Sequence, residues 1–217
     1  MFPITVVDDF FPEPDKIVDF ALKQRFFDTE KGRWPGRRTD EIGVLDLDLF
    51  NWISNKILSN YFETIFPEFK MAMTFQIVTS FHADQYHPRN KGWIHQDKCL
   101  MGGIIFLTKD PEPDTGTSIF RSKTGYFSSP IDTSLDVKEK LYKREEVSDD
   151  DYLKGYNVMR KNMVESIYVD NVYNRMMCFP STAYHGVRTY GLNKERLTLP
   201  FFLNGLADAF PPGCRTP

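Results

Sequence analysis

The feature that most constrains this chain is a change of hydrophobic period at Phe69. Before that point Ile17, Val18, Phe20, Ala21 and Leu22, and then Leu49, Ile53, Ile57 and Phe62, recur at helical spacing. Pro12-Glu13-Pro14-Asp15 opens the first helix, predicted to run to about Gln24, and the second is predicted from Asp46 to about Thr64. A strand over residues 3–8 precedes both, and residues 30–42 read as a polar, glycine-containing loop. After Phe69 the pattern is that of strands, at Met71–Phe81, Cys99–Thr108, Gly116–Phe120, Ser166–Val172, Arg175–Phe179 and Arg196–Leu203. Turn-rich breaks such as Asp110-Pro111-Glu112-Pro113-Asp114 separate them. This order predicts a mainly β fold of the jelly-roll kind, with helices buttressing one outer face of the sheet. At 217 residues the chain suits one domain, 1–217, and its nineteen Phe suit a sandwich core.

Between Phe120 and Ser166 the pattern is interrupted by a polar, charge-mixed stretch with two short helical segments, near 133–143 and 149–161. This stretch, about 121–165, is expected to be a lid or a substrate-specificity insert.

Two segments on either side of the insert carry the candidate chemistry: Trp93-Ile94-His95-Gln96-Asp97, and Tyr184-His185 followed by Arg196-Leu197-Thr198. In an extended segment residues i and i+2 point the same way, so His95 and Asp97 can reach one metal while Gln96 turns away. His185, after the apolar run Met176–Phe179 and the turn Pro180-Ser181-Thr182, is the best third ligand. Two imidazoles and one carboxylate on one face of Fe(II) leave positions open for O2 and a chelating co-substrate. Arg196 opens a strand in which a guanidinium is costly to bury unless an anion meets it, and period-2 alternation puts Thr198 beside it. Arg188 and Lys194 are alternative anion clamps. His82-Ala83-Asp84 is an alternative HxD pair, less favoured because no apolar strand and Gly-Thr strand follow it in the same order.

The sequence resembles the 2-oxoglutarate/Fe(II)-dependent oxygenases of the prolyl-hydroxylase-like type, more narrowly a bacterial and phage branch of them. The resemblance rests on Val6-Val7-Asp8-Asp9-Phe10-Phe11-Pro12, Trp34-Pro35-Gly36-Arg37, the HxD at His95–Asp97 and Gly102-Gly103-Ile104-Ile105-Phe106-Leu107. Gly116-Thr117-Ser118-Ile119-Phe120, Tyr173-Asn174-Arg175, His185, and Arg196 with Thr198 complete it, in order along nearly the whole chain. It implies a double-stranded β-helix, cupin-like, with iron on His95, Asp97 and His185 and 2-oxoglutarate on Arg196. It further implies O2-dependent hydroxylation of a substrate, with succinate and CO2 as co-products. A rival reading is a cupin-like barrel that binds metal for other chemistry or as an accessory module.

Composition narrows the partners. A formal charge of −3 makes no electrostatic case for nucleic acid or an anionic membrane, which leaves a small molecule, amino acid or peptide as the expected substrate. Cys99, Cys178 and Cys214 are odd in number and widely spaced, so neither a disulfide framework nor a zinc site is indicated. No signal-peptide pattern or membrane-length apolar run is visible, and a cytoplasmic location is expected.

Overall fold

The computed structural model describes residues 2–62, 68–123 and 135–206. Its strands are β1 (Thr5–Val7), β2 (Phe27–Asp28), β3 (Arg37–Glu41), β4 (Phe69–Val78), β5 (Met101–Phe106), β6 (Thr117–Ser122), β7 (Met163–Val169), β8 (Met176–Pro180), β9 (Tyr184–Val187) and β10 (Arg196–Leu206). Its helices are α1 (Pro14–Leu22), α2 (Ile42–Leu45), α3 (Leu47–Leu58), α4 (Leu135–Tyr142) and α5 (Asp149–Arg160). Among the described residues the strands form an antiparallel sheet of seven, in the order β1-β8-β5-β10-β4-β3-β2, and one of three, β7-β6-β9. The last strand, β10, lies between β5 and β4, so distant parts of the chain pair at the middle of the larger sheet.

The larger sheet has two differently used faces because its side chains alternate. Leu197, Leu199, Phe201 and Leu203 of β10, with Met71, Met73, Phe75 and Ile77 of β4, pack with Val18, Ala21, Ile53 and Ile57 of the helices. The predicted buttress is therefore present, although Leu22, counted on its apolar side, is 57% exposed. The opposite face meets the small sheet through Phe106, Met177 and Phe179 on one side and Ile119 and Val169 on the other. The two sheets face each other without closing into a barrel. This is the expected jelly-roll class in an open form.

Element ends differ from expectation where polar chemistry decides them. Helix α3 begins under the Asp46 cap, whose Oδ1 accepts the Leu49 N–H at 2.9 Å, but ends at Leu58; Thr64 lies outside the described residues. The supposed loop at 30–42 contains β3, which pairs with β4 through Arg37↔Ile77 and Arg38↔Gln76. Its sequence, Arg-Arg-Thr-Asp-Glu, carries no apolar alternation because most of it is exposed near the sheet edge, so backbone pairing alone makes it a strand. β9 also escaped the periodicity reading, being only four residues long.

Of the insert, residues 124–134 lie outside the described residues, and so do positions 133 and 134 of its first predicted helix. What is described is packed in place. Leu141, Tyr142, Tyr152, Tyr156 and Met159 of α4 and α5 form a second core with Trp93, Ile94, Phe120 and Tyr184. No helix among the described residues is long and apolar enough to cross a membrane.

Candidate metal centre and its anion cavity

The segment bearing His95 joins the chain beside β9 through a single antiparallel bridge, His95↔His185. Its preceding residues, Trp93 and Ile94, are anchored in the second core, where their N–H groups point to Tyr142 Oη at 3.4 Å and Met159 Sδ at 3.3 Å. Backbone position thus brings the two imidazoles together before any metal is considered. Their rings lie 4.3 Å apart between centroids.

His95 Nδ1 lies 2.8 Å from the Trp93 carbonyl and His185 Nδ1 3.1 Å from that of Ala183. A carbonyl can only accept, so each Nδ1 carries its proton and each Nε2 presents a lone pair. Those two Nε2 atoms flank Asp97, at 3.6 Å from Oδ1 for His95 and 3.4 Å from Oδ2 for His185. All three candidate ligand atoms fall within 4.8 Å of one another. Spacing of this kind, with both tautomers fixed by carbonyls behind the rings, suits a divalent ion held by two nitrogens and one oxygen. Although 44% of the His95 side chain reaches solvent, desolvation of its ring and the adjacent His185 imidazole push its pKa down to about 4, which leaves it a neutral candidate ligand at ordinary pH. Gly102 of β5 stands behind the carboxylate: a Cβ there would lie 2.9 Å from Asp97 Oδ2.

The three residues line a cavity of about 280 Å³ that also contains Arg196. Arg196 and Thr198 occupy the face of β10 opposite Leu197 and Leu199, as alternation predicts, and are 3% and 0% exposed. The Arg196 guanidinium donates from Nε to the Thr115 carbonyl at 2.8 Å and sits 5.5 Å from the Phe106 ring. Among the described residues its Nη2 has no partner, nor has Thr198 Oγ1. Burial lowers the Arg196 pKa to about 10, which still leaves it charged. A buried cation without a counter-ion, next to a buried hydroxyl without a partner, is a costly arrangement unless an anion completes it.

The alternative groups are engaged elsewhere. Arg188 donates to Asp114 at 2.8 Å and to Glu165 at 3.2 Å, and Lys194 to the Asp110 carbonyl at 2.6 Å. His82 and His87 stack at 3.7 Å, and their Nδ1 atoms accept the N–H groups of Asp84 and Arg89. Neither belongs to the cavity wall, and Asp84 takes the Tyr86 N–H. Asn174 clamps the N-terminal segment, its amide meeting the Phe11 N–H and carbonyl at 2.8 Å.

Residues without an expected role also line the cavity. Trp34 and Arg38 flank the turn before β3, and Gln76 on β4 fastens both parts, donating to the Pro35 carbonyl at 2.6 Å and facing Arg38 Nη2 at 3.5 Å. Gly36, at φ +69°, lets this turn pass over β4, where a Cβ would meet the Ile77 carbonyl at 2.1 Å. A lone Gln inside the apolar run of β4 was the available signal. Lys138 and Tyr142 reach the wall from the insert, and Tyr142 shares a hydrogen bond of 3.2 Å with Tyr190.

Over residues 2–190 the sequence matches the family model described as "Family of unknown function (DUF6445)". No curated protein matches it. The fold is similar to that of HygX from Streptomyces hygroscopicus with nickel and 2-oxoglutarate bound, with a TM-score of 0.60 at 10% identity over 96% of this chain and 84% of that one. An oxidoreductase of the 2OG-Fe(II) oxygenase family from Burkholderia pseudomallei gives 0.56 at 10% identity over 93% and 85%. The non-heme alpha-ketoglutarate-dependent epimerase SnoN, from nogalamycin biosynthesis, gives 0.52 at 11% over 99% and 87%. At these identities the likeness establishes a shared jelly-roll fold. With the family model spanning most of its length, the chain belongs to the DUF6445 family.

Proposed function

We propose that this protein is a 2-oxoglutarate- and Fe(II)-dependent dioxygenase, a single domain that hydroxylates a small molecule or an amino-acid or peptide group. His95, Asp97 and His185 hold the iron, and Arg196 with Thr198 holds the far carboxylate of 2-oxoglutarate. One observation carries this reading: Arg196, whose Nη2 finds no partner among the described residues, lines the cavity that also holds the three ligands, with the equally partnerless Thr198 Oγ1 two residues along the same face of β10. A metal-binding accessory barrel has no use for a buried, uncompensated cation there. Likeness of fold to HygX, which binds nickel and 2-oxoglutarate, is consistent with it.

The bound pair, iron and 2-oxoglutarate, supplies the activation of O2 and the oxidising power needed to break a C–H bond. The chain's own residues orient and protect. Trp93 O and Ala183 O accept from the Nδ1 side of both imidazoles and so aim each Nε2 at the metal position. Arg196 and Thr198 fix the length of the chelate by gripping its distal end. Phe179 and Trp93, with Tyr142 from the insert, exclude water from the cavity. The insert's contribution of Lys138 and Tyr142 suits a specificity segment. A reducing, cytoplasmic setting fits the free Cys99 and Cys178 and would keep iron ferrous.

The test is anaerobic titration with Fe(II) and then 2-oxoglutarate, followed by the visible charge-transfer band of the chelate, and afterwards succinate release on admitting air. A band and slow succinate formation are expected. Stoichiometric metal binding with neither would favour the accessory-barrel reading.

A further inference from the structure

We propose that the substrate is an acid, and that Arg38, laid against Trp34 on the far wall of the same cavity, receives its carboxylate. This rests on the oxygenase reading above and adds the substrate class to it.

Charge inside the cavity is the first argument. Arg33, Arg38 and Arg196 line it, and Asp97 is the one acidic residue among its described lining residues. The whole chain carries a formal charge of −3, so this positive interior runs against the average of the molecule. Fe(II), the 2-oxoglutarate dianion, the Asp97 carboxylate and the Arg196 guanidinium together sum to zero. The remaining guanidiniums stay without an anion, and the substrate is the component left to supply it.

The second argument is the condition of Arg38 itself. Its guanidinium carbon lies 4.8 Å from the centre of the Trp34 ring and 5.9 Å from that of Phe202. No carboxylate lies within ion-pair distance of it among the described residues; its one polar contact is the long 3.5 Å approach to Gln76 Oε1. The Arg38 Nε and Trp34 Nε1 atoms are both buried without a hydrogen-bond partner. Two unmet N–H donors on adjoining stacked planes offer what a carboxylate accepts with its two oxygens. Arg38 lines the same cavity as His95, Asp97 and His185, which puts this subsite within the space that opens on the metal centre. An acid seated on Arg38 would therefore hold a nearby carbon toward the iron.

The third argument is that the arrangement is built. Gln76 holds the Pro35 carbonyl at 2.6 Å, Gly36 permits the tight approach to β4, and pairing of Arg38 with Gln76 in the sheet register fixes where the arginine starts. A mobile surface arginine needs none of these.

The probe is benzoate, a planar carboxylate, with benzamide as its neutral counterpart. Quenching of tryptophan fluorescence, assigned by the Trp34→Phe variant, is followed with Fe(II) and saturating 2-oxoglutarate present anaerobically. Benzoate is expected to quench saturably and benzamide to be inert. Arg38→Gln should weaken benzoate on the order of tenfold to a hundredfold, and Arg188→Gln, outside the cavity lining, should leave it within about twofold. Gln76→Glu, which gives Arg38 an internal counter-ion, should abolish the response even where Arg38→Gln does not fold. Equal binding of benzamide, unchanged affinity in Arg38→Gln or in Gln76→Glu, or a response to inorganic phosphate with none to benzoate would each overturn the proposal. If the chelate band forms and benzoate is inert, this inference fails alone. If the band never forms, the oxygenase reading fails, and quenching in the metal-free protein still decides Arg38.

Discussion

His95 and His185 exchange both of their backbone hydrogen bonds, N–H to carbonyl, at 3.0 and 2.9 Å. The bridge joins two segments separated by the whole insert, and it sets the ligand imidazoles side by side independently of the metal. Ligand replacements should therefore remove metal without unfolding the chain. His95→Ala, Asp97→Ala and His185→Ala are each expected to lose most Fe(II) affinity while keeping a cooperative melt, since a three-ligand site has no spare. His82→Ala should bind iron as the wild type does. Metal content after desalting, read beside circular dichroism, checks this, and loss in His82→Ala alone would move the site.

Arg196 separates the co-substrate from the metal. Arg196→Ala should leave iron binding nearly intact and weaken 2-oxoglutarate by about 3–5 kcal/mol, on the order of a hundredfold to a few thousandfold. Thr198→Val should cost about 1–3 kcal/mol, the worth of one hydrogen bond to a charged group. Titration of the chelate band measures both. An unchanged affinity in Arg196→Ala with a large loss in Arg188→Ala would show the wrong arginine was chosen.

Burying an arginine for a ligand's sake has a cost in the empty protein. Arg196→Met, which keeps the volume and removes the charge, should melt at or above the wild-type temperature when no ligand is present. At fixed Fe(II), added 2-oxoglutarate should raise the melting temperature further in the wild type only. A marked loss of stability in the ligand-free variant would mean that the Thr115 contact of Arg196 is structural.

Gly102 stands directly against the Asp97 carboxylate. Gly102→Ala puts a methyl 2.9 Å from Asp97 Oδ2, and the carboxylate must move. Iron affinity is expected to fall on the order of tenfold to a hundredfold, as when a group orienting a ligand is changed. Thermal stability should change far less. Calorimetric metal titration distinguishes this from unaltered binding, which would show that Asp97 has room to adjust.

Acid should loosen the smaller sheet through Arg188. The hydrogen bond from Arg188, with a further one from Tyr86, holds Asp114 below the usual carboxylate range. Burial would raise Glu165, but hydrogen bonds from Arg188 and Ser118 outweigh it and lower its pKa as well. Groups depressed in the folded state stabilise it fully above their unfolded pKa, near 4, and cease to do so as pH falls through the folded values. The melting temperature should therefore hold from pH 8 to about 5 and fall below about 4. Arg188→Gln should lower the plateau and flatten that fall; a parallel curve would assign the acid sensitivity elsewhere.

Much of this molecule was determined by local pattern. The period change at Phe69, the face assignment of Arg196 and Thr198 against Leu197 and Leu199, and the shared direction of His95 and Asp97 follow from strand geometry, which is a property of a few adjacent residues. The pairing of Asp97 with His185 could be named because few residue types ligate metal. Tertiary structure alone decided the rest. β3 is a strand because β4 offers it backbone partners, and nothing in Arg-Arg-Thr-Asp-Glu says so. The insert is anchored because Tyr142, Tyr152 and Met159 find Trp93 and Ile94 across the chain. Arg38 reads as one more surface cation until the fold seats it on Trp34 with no carboxylate at ion-pair distance among the described residues, since whether a charge is compensated depends on what lies around it in space.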